Sequence, residues 1–256
     1  MPEALVNGLR ISYEVSGGEA GTSPTAVIYI HGSGGTGYVW KNQLQIRVPG
    51  FCQAAVDLPG HGRSEGAGAG SIEEYRDFMR DFAAAVFSAP VVLAGHSMGG
   101  AVAMSCALAY PEYLKGLILV GTGARLRVAP AVLEAAQDDQ KSAALLSYAY
   151  SPKTPRAVVR EAEKEYFLTP AQVRHRDFLA CDRFDIMDRV KEIRVPTLVV
   201  CGEDDVLTPV KYSRYLEANI PGARLAVIPA AGHMVMWEQP EPVNGAITEF
   251  LRTLAG

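Results

Sequence analysis

Apolar residues in this chain fall in short unbroken runs separated by longer stretches of helical spacing. Residues 26–30, Ala-Val-Ile-Tyr-Ile, are the first such run, and 51–56, 91–94, 117–120, 197–200 and 225–228 repeat it. A strand buried on both faces reads this way, whereas a strand with one wet face alternates. Residues 9–15 do alternate, and Asn7-Gly8 ahead of them predicts a tight hairpin to a short strand at 4–6. Between the runs, the spacing predicts helices over 71–87, 101–109, 209–219 and 242–254. Strands alternating with helices predict an α/β fold, a mostly parallel sheet covered by helices on both faces.

One region breaks the rhythm. Residues 122–195 contain no run that reads as a buried strand, and helical pieces are predicted at 130–148, 155–167, 170–180 and 182–190. Pro130, Pro155 and Pro170 open three of them, where a helix tolerates proline. The expected organisation is a core of 1–121 and 196–256 with a helical cap, or lid, inserted at 122–195. An insertion after a strand's carboxyl end lies over the crevice where open α/β sheets bind ligands. The glycine-rich stretch at 65–70 is too short for a domain linker, and no internal repeat is evident.

Composition narrows the class. A chain of 256 residues that is 48% hydrophobic can bury one large core. A net charge of −4 without a basic block argues against nucleic acid and anionic membranes as partners. No apolar stretch approaches the roughly 18 residues of a membrane span, and Met1-Pro2-Glu3-Ala4-Leu5 does not read as a secretory signal. Cys52, Cys106, Cys181 and Cys201 have neither metal-site nor redox spacing. These features lead us to expect a cytoplasmic protein, a monomer or small homo-oligomer, with no cofactor and no metal.

The candidate chemistry begins at Gly95-His96-Ser97-Met98-Gly99-Gly100, between a predicted strand and a predicted helix. A serine flanked by glycines at a strand-to-helix turn is a nucleophile elbow. Serine needs a base within reach and an acid to orient that base. His233, in the loop after the last strand, is the candidate base. The acid is expected in the loop after 197–200, where Glu203, Asp204 and Asp205 compete and spacing does not choose among them. The order serine, acid, histidine differs from the chymotrypsin and subtilisin orders. An oxyanion would need two prepositioned N–H donors. Met98 supplies one at a helix N-terminus, and the second is expected from His31-Gly32-Ser33-Gly34-Gly35, a loop lacking the Lys-Ser/Thr ending of a phosphate cradle.

With these residues the chain resembles the α/β-hydrolase family over nearly its whole length. Five segments carry the resemblance: His31-Gly32, Asp57-Leu58-Pro59-Gly60-His61-Gly62-Arg63-Ser64, Gly95 to Gly100, Gly202-x-x-Asp205-x-x-x-Pro209, and Gly232-His233 followed by Glu238-Gln239-Pro240. The resemblance implies a sheet of about eight strands with a cap. It also implies Asp205 as the acid, with Asp204 the fallback, and the Ser33 amide as second oxyanion donor. His61 and Arg63 are expected to hold a loop, His31 to fix the oxyanion loop, and His96 to pack. His175 is expected on a solvated helix face with Arg174, Arg176 and Asp177. Gly34, Trp40, Leu207 and Met234 are candidates for a substrate pocket, as are Met98 and the aromatics Tyr148, Tyr150, Tyr166 and Phe167, each weighed against plain core packing.

The activity implied is a cap-bearing serine carboxylesterase, with Ser97, Asp205 and His233 cleaving esters of small to medium apolar acyl chains through an acyl-enzyme. Alternatives on the same frame are lactone, enol-lactone or carbon–carbon bond hydrolysis, haloperoxidase or perhydrolase activity, and a small-molecule receptor. Ser97 stands where haloalkane dehalogenases and epoxide hydrolases place an aspartate.

Overall fold

The structure, a computed structural model, describes residues 1–17, 24–87 and 90–255. Eight strands form one sheet: β1 (Glu3–Val6), β2 (Leu9–Ser16), β3 (Thr25–Ile30), β4 (Phe51–Val56), β5 (Val91–His96), β6 (Leu114–Val120), β7 (Thr197–Gly202) and β8 (Arg224–Ile228). Their order across the sheet is β1-β2-β4-β3-β5-β6-β7-β8. The β1–β2 and β2–β4 pairs are antiparallel, and every pair from β4 to β8 is parallel.

The unbroken apolar runs are explained by the two layers of helices. In β3, Ile28 and Ile30 join one core cluster while Val27 and Tyr29 join the other. Leu93 and Val92 of β5 divide the same way, as do Leu119 and Ile118 of β6. Alternate side chains point to opposite faces, so a strand covered twice must be apolar at every position. The first face is covered by α1 (Ile72–Val86) and α2 (Met98–Ala109), the second by α9 (Pro240–Leu254) with the short α8 (Val235–Glu238) ahead of it. Helix α7 (Val210–Asn219) follows β7 and adds Leu216 to the first cluster. The Ser71 hydroxyl caps α1 by accepting the Glu74 N–H.

Four helices lie between β6 and β7: α3 (Pro130–Ala135), α4 (Asp139–Leu146), α5 (Arg156–Tyr166) and α6 (Ala171–Arg183). The helix expected at 130–148 is divided, because the Asp138 carboxylate accepts the Gln140 and Lys141 N–H groups and starts a new helix there. The helix expected at 182–190 does not form. Asp182 spends its carboxylate on the Val128 N–H, Asp185 bridges to Arg125, and only a single 3₁₀ turn at Val190–Glu192 follows. Helix α2 starts at Met98 rather than 101, since Gly99 and Gly100, poor helix formers, are helical here. Among the described residues no helix is long and apolar enough to cross a membrane.

Candidate active site

In the sheet order, β3 lies between β4 and β5, so the chain steps from β3 to β4 on one side and then crosses back over β3 to β5 on the other. A crevice opens at the carboxyl ends of strands at such a point. The loop after β3 begins at His31, and β5 ends at His96, immediately before Ser97.

Ser97 has φ 52° and ψ −114°, a backbone conformation that strains any residue with a Cβ. Its neighbours hold it there. The Ser97 N–H donates to the Val120 carbonyl at 2.9 Å, and its own carbonyl accepts from Gly100 N–H at 2.9 Å and the Thr122 hydroxyl at 2.8 Å. The flanking glycines are steric necessities. A Cβ on Gly95 would lie 2.1 Å from the Gly99 carbonyl oxygen, and one on Gly99 would lie 2.3 Å from the Ile30 carbonyl oxygen.

Asp205 and His233 are brought together from the loops after β7 and β8. His233 Nδ1 donates to Asp205 Oδ2 at 2.9 Å, and both residues are buried. The Thr208 hydroxyl also donates to Oδ2, at 2.8 Å, and the Leu207 and Thr208 N–H groups donate to Oδ1, each at 2.9 Å. Burial alone would raise the Asp205 carboxyl, but His233 and the Thr208 donors outweigh it and hold the carboxyl below its ordinary range. Asp204 faces elsewhere: its Oδ2 accepts from the Ser151 hydroxyl at 2.6 Å and lies 3.6 Å from Lys153 Nζ. Glu203 is exposed.

His96 does more than pack. Its Nε2 donates to the His233 carbonyl oxygen at 3.0 Å, and the two rings lie 4.6 Å apart. Burial, followed by the nearby His233, pushes the His96 imidazole down to about 3. His31 donates from Nδ1 to the Gly32 carbonyl at 2.8 Å and accepts the Leu58 N–H at Nε2, 3.1 Å away.

Ser33, Ser97 and His233 share the wall of one cavity of about 370 Å³. Its far side is built by the helices between β6 and β7: Val132 from α3, Leu145 from α4, Tyr166 from α5 and Phe178 from α6. Leu207 and Met234 also line it. Trp40 and Gly34 do not. Trp40 is fully buried with its ring 4.9 Å from Tyr29, in the core between the sheet and α9. Gly34 is turned away from the cavity, its N–H donating to Asp177 Oδ2 at 2.8 Å. Of the other candidates, Tyr150 lines the cavity, Tyr148 is exposed, Met98 packs in the core, and Phe167 lies against the Arg174 guanidinium.

The helix face carrying Arg174 and Asp177 is not solvated as expected. Both are buried: Arg174 lies between Tyr166 and Phe167 and donates to the Thr169 carbonyl at 2.7 Å, and Asp177 meets His61, Tyr75 and Gly34. Of the four only Arg176 is exposed, and His175 Nδ1 lies 3.0 Å from the Leu133 carbonyl oxygen. Thr208 was not singled out from the sequence, and Asp177 was read only as part of that solvated face. For Thr208 a signal existed, since Asp followed at the second and third residues by free N–H groups is an Asx turn.

A serine held on a strained strand-to-helix turn at a sheet's switch point, beside a buried histidine–aspartate pair, places the protein in the hydrolase class of α/β enzymes. Residues 27–246 match the alpha/beta hydrolase family, and the chain belongs to that family. It is 32% identical, over 98% of both chains, to RutD of Azorhizobium caulinodans, which is provisionally named a carbamate hydrolase. It is 29% identical to the 2-hydroxy-6-oxononadienedioate/2-hydroxy-6-oxononatrienedioate hydrolase of Burkholderia vietnamiensis, over 95% of this chain and 91% of that protein. Among solved structures, a thermophilic esterase is similar at 35% identity and a TM-score of 0.85, covering 99% of this chain and 97% of that one.

Proposed function

We propose that the protein is a serine hydrolase of carboxylic esters with small to medium apolar acyl chains, and that residues 122–195 act as its cap. The observation that carries this reading is the 2.9 Å bond from His233 Nδ1 to Asp205 beside Ser97, on a cavity walled mostly by alkyl and aromatic side chains. With Nδ1 donating to a carboxylate, Nε2 is left as the lone pair that accepts a proton.

His233 Nε2 takes the Ser97 proton as Oγ bonds to the ester carbonyl carbon, and the carbonyl π pair moves onto oxygen. The Ser33 and Met98 N–H groups donate to that oxyanion. Asp205 stabilises the imidazolium and keeps its tautomer. Collapse expels the alcohol, which takes the proton from His233 and leaves the acyl group on Ser97. Water then gives a proton to His233 and attacks the acyl carbon. Release of the acid returns the proton to Ser97.

The cavity volume suits a short chain. Two charged residues lie in its wall. Arg127 is turned to the Asp182 carbonyl, and Glu165 accepts from the Thr36 hydroxyl at 3.3 Å. The Arg127 guanidinium also lies 3.8 Å from the Asp185 carboxylate, so the wall holds one cation that already has an anionic partner and one carboxylate, which favours neutral esters over dianionic substrates such as those named for the Burkholderia relative. The similarity to a thermophilic esterase supports the same choice.

Ser97→Ala is the test. It should abolish turnover of p-nitrophenyl acetate and butyrate while the circular dichroism spectrum is retained. An organophosphate should add its mass to the peptide containing Ser97. Full turnover by Ser97→Ala, or a label on another peptide, would remove the serine mechanism.

A further inference from the structure

Behind the loop that follows β3, groups from three separate elements converge on one carboxylate. Asp177 on α6 is fully buried. Its Oδ2 accepts from the Gly34 N–H and from His61 Nε2, each at 2.8 Å, and its Oδ1 accepts from the Tyr75 hydroxyl of α1 at 2.7 Å. The other ring nitrogen of His61 also faces an acceptor: Nδ1 lies 3.1 Å from the Pro59 carbonyl oxygen. Carboxylate and carbonyl oxygens only accept, so both ring nitrogens must donate, and an imidazole that donates at both carries a positive charge.

The same region orients the Ser33 peptide. His31 Nδ1 holds the Gly32 carbonyl, and that carbonyl and the Ser33 N–H belong to one planar unit and point in opposite directions. Asp177 holds the Gly34 N–H and fixes the next peptide plane. The His31 and His61 rings lie 4.7 Å apart.

We propose that the His61–Asp177 ion pair is a positioning device for the Ser33 amide, holding α6 against the loop after β3 most firmly while His61 is protonated. The role of Ser33 rests on the hydrolase reading above, whereas the state of His61 does not. Once neutral, His61 must turn a lone pair toward one of its two acceptors, and the carboxylate that anchors Gly34 loses its ion pair and keeps the Tyr75 hydroxyl as its other side-chain donor. Asp57, Tyr75 and His31 also face His61. Asp57 is occupied by the Gly37 and Arg63 N–H groups, burial together with Asp177 keeps the Tyr75 hydroxyl protonated, and burial keeps His31 neutral. Burial opposes the charge on His61, but Asp177 overcomes it and raises the imidazole above its ordinary value.

The test uses the intact protein. Histidine ¹⁵N spectra, assigned with His61→Gln, should show both His61 nitrogens protonated at about pH 7.5. On raising the pH, kcat for p-nitrophenyl butyrate should fall in step with loss of that signal, with KM nearly constant. Asp177→Asn should lower kcat about tenfold or more, change KM by less than about threefold, and move the alkaline fall to lower pH. A neutral His61 at about pH 7.5, or a kcat that stays level while His61 loses its proton, overturns the proposal. Both are read on the unaltered protein, so they decide the matter even if Asp177→Asn does not fold. Full hydrolysis by Ser97→Ala would also overturn the positioning claim, through a variant that leaves the His61 spectrum as it was.

Discussion

Asp205→Asn removes one negative charge and almost no volume, and the structure says which way the new amide must face. Two backbone N–H groups, of Leu207 and Thr208, point at Oδ1 from 2.9 Å. Turning an NH₂ toward them would leave both donors unmet, at about 1–3 kcal/mol for the buried Thr208 N–H alone. The amide oxygen therefore stays at Oδ1 and the NH₂ takes the place of Oδ2, facing His233 Nδ1 and the Thr208 hydroxyl. Thr208 can rotate its proton away and accept. His233 can accept only if its own proton moves to Nε2, the atom proposed to take the Ser97 proton. The base is then present in the wrong tautomer. The expected loss in kcat is about 10⁴-fold, the size seen for this change in the trypsin triad, equivalent to about 5.5 kcal/mol of barrier. Steady-state hydrolysis of p-nitrophenyl butyrate measures it, with circular dichroism to check the fold. Asp204→Asn is the control: its partners are Ser151 and Lys153, and it should lose less than about tenfold. An Asp205→Asn enzyme within tenfold of the parent would refute the tautomer reasoning, and an equally crippled Asp204→Asn would refute the assignment of the acid.

Two further outcomes are expected. His96 is buried and neutral with its pKa at about 3, so between pH 6.5 and 3 the unfolded chain binds a proton that the folded chain refuses. His96 alone should remove about 1.4 kcal/mol of stability for each pH unit between 6.5 and 3, and urea titrations should show a shallower acid slope in His96→Gln; identical slopes would remove His96 as a contributor. Trp40→Ala should cost about 3–5 kcal/mol of stability with little change in KM, while Leu207→Ala, on the cavity wall, should raise KM; a Trp40 variant that unfolds normally but binds ester poorly would contradict its place in the core.

The sheet was legible because burial on two faces leaves a mark that needs no partner to read. Residues 51–56 read as a strand with the observed bounds, and residues 225–228 and 26–30 lack only their first residue. Helix ends were less legible. Gly99-Gly100 argues against a helix by propensity, yet the turn at Ser97 needs a helix to begin there. The segment between β6 and β7 was legible in composition and not in contacts. Arg174, His175, Arg176 and Asp177 read as a charged, wet face, because a lone sequence does not show that Tyr75 and His61 wait opposite Asp177, or that Tyr166 and Phe167 close over Arg174. For the same reason Trp40 read as a pocket wall: an aromatic after a glycine-rich loop looks alike whether it faces a ligand or Tyr29.

Those contacts bear on how specificity can change in this molecule. The His233 and Met234 N–H groups both donate to the Ala149 carbonyl, at 2.8 and 3.1 Å. Glu238 accepts the Gly232 N–H at 2.9 Å with one oxygen and the Ser151 N–H at 2.7 Å with the other, which also takes the Thr154 hydroxyl. The His233 loop is thus tied to the chain between α4 and α5, the Asp205 loop is tied there too by the Ser151 hydroxyl on Asp204, and the Ser33 loop is tied to α6. Elements that shape the cavity also hold the groups proposed to do the chemistry. A substitution at Ala149 to Thr154 meant to alter acyl preference should therefore disturb kcat along with KM, since near-ångström placement governs proton transfer. Leu145 and Phe178 line the cavity and make none of these bonds. Substitution there should reshape the proposed acyl site while leaving the His233 and Ser33 loops where they are.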